Sequence, residues 1–252
     1  MTIGEAPVGT KIYLGSWKDT DFIWRKVSED NDFLCEQGTG YRQFDNDEPA
    51  NSNRNRRTGG NNFFPVSNIQ QWLNSTETNW YHPLHEFDTG YVGYNDQGFL
   101  HDFNPEELDC LMDRTIKVAV PLGSRKEHGK VVEMACKVCL PSEMEVLGHC
   151  QEEANEVEGV HLPEIMNVIN ENFGRYITVM TRTAIENSCK VRAFYCGNPY
   201  VEKASNNIIP VPMIRLKGDI PLMEEYATSP IQHIKFRSNE HKDEEFFGLL
   251  TF

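Results

Sequence analysis

A long polar segment that ends on a well-signalled helix dominates the first half of the sequence. Residues 44–74 read FDNDEPANSNRNRRTGGNNFFPVSNIQQWLN, and asparagine, aspartate, arginine and glycine predominate in the first part of this segment. Ser67 is a favourable helix N-cap, with Gln70 as its capping-box partner. Three apolar side chains then share one helical face: Ile69, Trp72 and Leu73. The sequence therefore predicts a helix that begins after Ser67 and is buried by Trp72, preceded by a long loop.

Short strands are predicted on both sides of this segment, because apolar and polar side chains alternate there. The predicted strands cover residues 11–14, 22–27, 32–36, 115–120, 131–140, 176–183, 190–196 and 208–216, and the first three form a hairpin or meander. Helices are predicted after the N-caps Asn104 and Ser142 and over residues 162–169. Residues 79–103 lack a sustained period and are predicted to be a second long loop, packed by its aromatic side chains. This order indicates an α+β fold whose terminal strands share one sheet.

The charge balance disfavours some classes of partner. In 252 residues, 24 Lys and Arg are outnumbered by 38 Asp and Glu, which gives a formal net charge of -14. Nucleic acid is therefore disfavoured as the main ligand, because phosphate binding needs a basic face. The one basic island is Arg54, Arg56 and Arg57, and its acidic neighbours indicate a solvated or intersubunit loop.

Two further observations concern the compartment. The sequence starts without a secretion signal, and no apolar run approaches membrane-spanning length, so we expect a protein made in the cytosol and not inserted in a membrane. The 7 cysteines are an odd number without framework spacing. This pattern favours reduced, buried thiols over disulfides.

Three groups of residues contain side chains that bind metals, and each group also has a structural interpretation. The first is Cys136, Cys139, His149 and Cys150; the second is His82, His85, Asp88, His101 and Asp102; the third is Asp45, Asp47, Glu48 and Asn51. The first contains zinc-ligand types, but buried thiols are favoured because the segment reads as a strand running into a helix cap. The histidines of the second group are expected to be packed or hydrogen-bonded among aromatic residues.

The third group supplies oxygen donors suited to calcium, but it lacks the glycine placement and the closing glutamate of an EF-hand loop. A solvated, hydrogen-bonded loop is the favoured interpretation. The sequence contains no Gly-rich phosphate loop, no hydrolase nucleophile elbow and no H-E-x-x-H helix. The residues alone therefore do not indicate an enzyme.

The central block resembles an uncharacterised domain family of Gram-positive gut bacteria and their prophages. The family pattern FD...EPNNP.SNR...GNN.Y..SNIRQWLN is similar to residues 44–74. Its WY...H.FD and GFL..F segments are similar to NWYHP at 79–83, EFD at 86–88 and GFLHDF at 98–103, and its KVFLLSxxEV segment is similar to KVCLPSEMEV at 137–146. The resemblance covers residues 8–219 and is weaker at 179–184 and 209–216.

The resemblance implies a C-type-lectin-like fold with small antiparallel sheets, short helices and long ordered loops. In such a fold, Asn, Gly and Arg order a long loop through side-chain to backbone hydrogen bonds, which accounts for the polar segment at 44–74. The predicted lectin-like domain covers residues 1–219. Residues 220–252 are predicted to be a C-terminal docking arm, with a frayed terminus as the alternative. The apolar tip of the arm contains Phe246, Phe247, Leu249, Leu250 and Phe252.

The resemblance also implies a function. It predicts a non-enzymatic bacteriophage or prophage virion protein, such as a decoration, fibre or baseplate component, that is made in the host cytoplasm and binds other virion proteins and itself. The alternative is an adhesin that recognises a host surface glycan through Trp80, Tyr81, Tyr91 and Tyr94, with calcium at Asp45, Asp47, Glu48 and Asn51. No other cofactor is expected. Formylglycine-forming enzymes share a related fold, but the spacing of Cys189 and Cys196 does not match their cysteine pair.

Overall fold

The computed structural model describes residues 1–90, 97–121, 131–151, 159–173 and 177–236. Its strands, in chain order, are β1 (Lys11–Trp17), β2 (Thr20–Lys26), β3 (Asp32–Cys35), β4 (Arg42–Gln43), β5 (Leu111–Met112), β6 (Arg114–Ala119), β7 (Val131–Cys136), β8 (Val138–Cys139), β9 (Thr178–Ala184), β10 (Lys190–Tyr195), β11 (Asn198–Lys203), β12 (Asn207–Pro210), β13 (Met213–Leu216) and β14 (Gln232–His233). Its α-helices are α1 (Arg54–Arg57), α2 (Asn68–Leu73), α3 (Pro105–Cys110), α4 (Glu143–Leu147) and α5 (Pro163–Asn172). The described residues form a sheet-dominated fold with short helices, and the predicted α+β class is confirmed.

The helices begin where their sequences signal. The Ser67 side chain accepts a hydrogen bond from the backbone N–H of Gln70 and starts α2. Complete capping boxes start α3 and α4, through Asn104 with Glu107 and through Ser142 with Glu145. Each cap satisfies backbone N–H groups that the first helical turn leaves unpaired. The predicted helix starts are therefore confirmed.

The first sheet joins the two ends of the described chain. Its strand order is β14-β1-β2-β3-β13-β5, and β8 also pairs with β13. Strands β1, β2 and β3 form the predicted antiparallel meander, and β14 lies parallel to β1. The β1–β2 turn places Lys18 and Asp19 at positive φ angles of 48° and 63°. Two consecutive left-handed residues are typical of a two-residue hairpin turn.

A second sheet and a separate hairpin complete the strands of the described ranges. The second sheet has the order β11-β10-β9-β12-β4, and β6 pairs with β7 as a two-stranded ribbon. Residues 208–216 were expected as one strand but form two, β12 in the second sheet and β13 in the first. Pro210 and Pro212 explain the break, because a proline donates no hydrogen bond to a strand ladder. Strand β11 was not expected, because Asn198 and Pro199 are residues typical of turns.

An aromatic core holds the two long loops against the first sheet. Its rings, which pack mostly edge-on or tilted, are Trp17, Phe22, Trp24, Trp72, Phe99 and Phe103. The described parts of residues 79–103 contain no helix or strand, as predicted, and Phe99 is fully buried. Gly15 has φ +67°, and a Cβ there would lie 2.3 Å from the Phe103 ring. Glycine is therefore required at this position by both backbone conformation and space.

The chain beyond residue 219 continues the fold before it reaches the predicted tip of the docking arm. Ile220, Leu222 and Ile234 are buried, and β14 pairs with β1. Bridges also join Thr2 to Pro221 and Leu222 to Ile234. Residues 220–236 therefore belong with the first sheet. The predicted arm residues Phe246, Phe247, Leu249, Leu250 and Phe252 lie outside the described residues, so the docking arm stays a prediction.

Candidate functional site

Asp45, the first predicted calcium ligand, orders the central loop by accepting backbone hydrogen bonds. Its Oδ2 accepts from the N–H of Asn61 at 2.8 Å, and its Oδ1 accepts from the N–H of Asn68 at 3.1 Å. Asn68 is the first residue of α2, so this carboxylate ties the polar loop to the helix. Burial raises the pKa of Asp45 well above its usual range, and the two N–H donors offset only part of that rise.

The other predicted calcium ligands surround the same loop. Glu48 is fully buried, accepts a hydrogen bond from the Asn51 side chain, and places its Oε1 3.6 Å from His85 Nε2. Asn51 Oδ1 accepts from the N–H of Asn53 at 2.9 Å, and the Asp47 carbonyl oxygen accepts from Thr89. In the described ranges, no group of three or more His, Cys, Asp or Glu is arranged to hold a metal ion. Both Asp45 oxygens, one Glu48 oxygen and Asn51 Oδ1 accept hydrogen bonds from amides of residues 51–68. Asp47 Oδ1 and Glu48 Oε1 are buried without a hydrogen-bond partner among the described residues.

The predicted aromatic ligand site is divided between described and undescribed residues. Trp80 is only 5% exposed and packs edge-on against Tyr81, with the ring centroids 6.0 Å apart. Burial and the neighbouring Asp88 raise the pKa of the Tyr81 hydroxyl. Tyr91 and Tyr94 lie outside the described residues.

A different pair of tyrosines is exposed on the second sheet. Tyr195 ends β10 and is 41% exposed, and Tyr200 lies on β11 and is 47% exposed. Their ring centroids are 6.4 Å apart. Strand β11 is at the end of the strand order, so its outer edge carries no strand from the described part of the chain. An exposed aromatic pair beside an open strand edge is a surface suited to contact with another molecule.

The two cysteines of the C-x-x-C segment are buried free thiols, as expected. Cys136 ends β7, Cys139 ends β8, and Arg114 Nη1 lies 3.5 Å from Cys139 Sγ. A hydrogen bond from the Cys136 thiol and the charge of Arg114 lower the pKa of Cys139, although burial alone would raise it. Cys136 is affected in the opposite direction, and its pKa is raised.

The described residues enclose a cleft of about 790 Å³, which we call the charged cleft. Residues from β3, β6, β9, β13, α4 and α5 line it. One part of its wall is apolar: Val8, Val27, Ile116, Val160, Leu162 and Pro163. A volume of this size lies within the range of about 300–1,000 Å³ that is typical of small-molecule sites.

Five charged side chains form a continuous network in the charged cleft, which we call the arginine network: Asp32, Arg114, Glu145, Arg182 and Arg215. Arg215 holds Asp32 through two hydrogen bonds of 2.9 and 3.0 Å, and Arg114 Nε lies 3.1 Å from Asp32 Oδ1. Arg114 also donates to Glu145 Oε1 at 2.6 Å. Arg182 donates to both oxygens of Glu145, at 2.7 and 3.0 Å.

The arginines determine the protonation state of Glu145. Burial alone would raise the pKa of this carboxyl, but the positive charges of Arg182 and Arg114 more than offset burial and lower the pKa to about 2. Glu145 therefore remains ionised at neutral pH. The same carboxylate completes the capping box of α4, so the helix start and the arginine network share one residue.

The sequence predicted none of the five residues of the arginine network as a site. Glu145 was identified only as a capping residue, and the other four lie far apart in the chain, on β3, β6, β9 and β13. A weak signal does exist, because Arg182 lies within the strand that the sequence predicts at 176–183, and the structure buries that strand. A charged residue in a buried strand is normally paired.

The fold and the charged cleft define a sheet-dominated α+β protein with a cleft lined in part by buried ion pairs. Residues 10–194 match the family described as Domain of unknown function (DUF6273). This match spans more than half of the 252 residues, so the chain belongs to that family and the predicted uncharacterised domain family is confirmed. No curated protein and no solved structure matches the chain. Among the described residues, no helix has both the length and the apolar character needed to cross a membrane.

Proposed function

We propose that this protein is a non-enzymatic structural component of a bacteriophage or prophage particle, attached by protein–protein contacts as a decoration, fibre or baseplate protein. The phage setting rests on the resemblance of residues 44–103 to a family found in Gram-positive bacteria and their prophages. The observation that carries the attachment role is the exposed Tyr195–Tyr200 pair beside the open edge of β11. Tyrosine is enriched at protein interfaces, and an open strand edge offers unpaired N–H and C=O groups to a partner.

A C-type-lectin-like fold is part of this proposal. Two features support it: β1 and β14 from opposite ends of the described chain pair with each other, and long loops carry much of the central sequence. In such an architecture, the sheets provide a rigid base and the loops are free to diverge between relatives. Fold alone does not confer a function, so the attachment role needs its own test.

The test uses the tagged full chain, expressed in the bacterium that encodes it. Particles are purified by density gradient after prophage induction, and the protein they carry is measured by quantitative immunoblot. We expect the wild-type chain to be recovered with the particles and the double variant Tyr195→Ser/Tyr200→Ser to be depleted at least about tenfold, since losing two interface tyrosines costs more than about 1.4 kcal/mol. Tyr41→Ser is the matched control, because Tyr41 is exposed beside β4 at the opposite edge of the same sheet.

Two results would count against the proposal, and they have different meanings. If the wild-type chain is absent from every particle fraction, the virion role is wrong. If Tyr195→Ser/Tyr200→Ser is recovered with the particles as well as the wild type and the Tyr41→Ser control are, the virion role survives and the proposed surface is wrong. Self-association is measured separately by light scattering on the full chain and on a chain that ends at Phe236, which keeps the described fold and removes the apolar tip of the predicted arm.

The second candidate function is recognition of a host surface glycan. The Tyr195–Tyr200 pair also favours this candidate, because exposed aromatic rings offer apolar faces on which sugar rings stack. Trp80 is covered in the described fold, so the two exposed tyrosines are the better-placed rings. A glycan array read with calcium and with a chelator separates the candidates. Binding that disappears in Tyr195→Ser/Tyr200→Ser supports the adhesin, and calcium dependence would assign a role to Asp45, Asp47, Glu48 and Asn51.

A further inference from the structure

Among its own five residues, the arginine network carries one more positive charge than negative charge. Arg114, Arg182 and Arg215 supply three guanidinium groups, whereas Asp32 and Glu145 supply two carboxylates. The Asp30 carboxylate also lies 3.8 Å from Arg215, but its side chain is exposed, so water screens this pair. Asp32 and Glu145 are each at least 95% buried, so water screens these charges only weakly. Cys139 lies beside Arg114, and its pKa is lowered by a hydrogen bond from Cys136 and by the charges of Arg114 and Arg182.

Arg182 and Arg215 also have N–H donors that make no hydrogen bond within the arginine network. Arg182 Nε is buried and has no hydrogen-bond partner among the described residues. Arg215 binds Asp32 through Nε and Nη2, and its side chain is 27% exposed at the wall of the charged cleft. A guanidinium has five N–H donors in a planar fork, so each of these arginines retains donor capacity for a further acceptor.

The walls of the charged cleft narrow the choice of ligand. Val8, Val27, Ile116 and Val160 form an apolar part of the lining, which suits a hydrocarbon group. Outside the arginine network, the charged residues of the lining are Glu29, Asp30 and Glu164 against Lys117. An anion with a second negative charge would be repelled by these carboxylates, and the five residues of the arginine network offer only one excess positive charge. A singly charged carboxylate therefore matches the site better than a phosphate.

We propose that the charged cleft binds a small organic monocarboxylate, with its carboxylate at the arginine network and its apolar part against Val8, Val27 and Ile116. This site is separate from the attachment surface at Tyr195 and Tyr200, and it requires no catalytic step. The ligand would neutralise the excess charge that the folded protein holds between the two sheets.

The test uses four six-carbon probes and the full chain at pH 7. Isothermal titration calorimetry at constant ionic strength compares hexanoate with 1-hexanol, hexylamine and monohexyl phosphate. We expect hexanoate to bind at least about tenfold more tightly than each of the other three, a difference of about 1.4 kcal/mol. Equal binding of hexanoate and 1-hexanol would overturn the proposal, because the arginine network would then contribute nothing. Tighter binding of monohexyl phosphate would overturn the choice of ligand class.

A filled cleft provides the second arm of the test. Thr115 is an exposed residue of β6 that lines the charged cleft, and Thr115→Trp places a large ring there without removing an arginine. Val131→Trp is the control, because Val131 is an exposed residue of the paired strand β7 that does not line the cleft. We expect hexanoate affinity to fall at least tenfold in the first variant and to be unchanged in the second. Unchanged affinity in both variants would place the binding elsewhere.

A direct readout covers the case in which Thr115→Trp does not fold. The Nε–H signals of arginine in the ¹⁵N-labelled wild-type protein are followed by NMR while hexanoate is added, and Arg182→Lys and Arg215→Lys assign them. We expect the signals of Arg182 and Arg215 to move together with one saturating curve. If hexanoate leaves both signals in place, the carboxylate does not reach the arginine network and the proposal is wrong.

Discussion

The central polar loop and the charged cleft both bury carboxylates, but different groups stabilise them. Asp45 is held by two backbone N–H groups that lie within the same loop and at the start of α2. Glu145 is held by two arginine side chains from β6 and β9 as well as by its own helix cap. Neutral amide donors leave the pKa of Asp45 raised, whereas full positive charges lower that of Glu145 to about 2.

The difference shows how each region contributes to the fold. The side-chain bonds of Asp45, Glu48 and Asn51 connect residues near one another in the chain, so they order the segment locally. Asn62 adds contacts with the second sheet region, through the carbonyl oxygens of Ile185 and Lys190. The arginine network connects β3, β13, β6, β9 and α4. It therefore ties the first sheet to the second, and a break in it affects the relation between sheets. We expect substitutions in the charged cleft to have larger effects than substitutions in the loop.

The largest effect is expected for Glu145→Gln. Glutamine can still close the capping box of α4, but it leaves Arg114 and Arg182 without their shared counter-charge. Removing one partner of a buried ion pair costs about 3–5 kcal/mol, and we expect a loss of this size in urea unfolding at pH 7. Glu133→Gln on the exposed side of β7 is the control, and its effect should stay within about 0.5 kcal/mol.

The pH dependence of the stability of Glu145→Gln tests whether the arginine charges are the source of its effect. The folded pKa of Glu145 is lowered to about 2, below the value of about 4.3 for an unfolded glutamate. A lowered folded pKa means that the stabilisation is complete above pH 4.3 and is lost as the pH falls towards 2. The stability gap between wild type and Glu145→Gln should therefore shrink over this interval. A gap that stays constant from pH 5 to pH 2.5 would show that the arginine pairs are not its source.

The sequence predicted the local elements well because their signals are local. Ser67, Asn104 and Ser142 each cap a helix, and the alternation in β1 and β2 predicted the meander. The arginine network was not predicted, because its members meet only after both sheets have formed. Pattern reasoning also missed the change of sheet between β12 and β13, which depends on where two prolines interrupt a ladder.

An intermediate effect is expected for Asp45→Asn. Asparagine has one acceptor oxygen where aspartate has two, so its amide N–H₂ must be placed beside the N–H of Asn61 or Asn68. A buried donor left without an acceptor costs about 1–3 kcal/mol, although losing a poorly solvated charge offsets part of this. Urea unfolding at pH 7 measures the loss, and the half-buried Asp47→Asn is the control.

The pH trend of Asp45→Asn should be opposite to that of Glu145→Gln. The folded pKa of Asp45 is raised, so the wild-type protein gains stability as the pH falls through that pKa towards the unfolded value of about 3.9. The advantage of wild type over Asp45→Asn should therefore grow on acidification. Parallel trends in the two variants would contradict the assignment of amide donors to one carboxylate and arginine charges to the other.

The smallest effect on stability is expected from the addition of calcium. Both Asp45 oxygens accept backbone hydrogen bonds, and Glu48 accepts from Asn51, so binding an ion that prefers six to eight oxygen ligands would require the loop to give up those bonds. We expect the melting temperature to be the same, within about 1 °C, in 1 mM calcium and in a chelator. A site with a Kd one hundredfold below the calcium concentration would instead add about 2.7 kcal/mol of stability. A gain of that size, abolished in Asp45→Asn but not in Glu145→Gln, would turn the central loop from a structural element into a metal site and would favour the glycan-binding candidate.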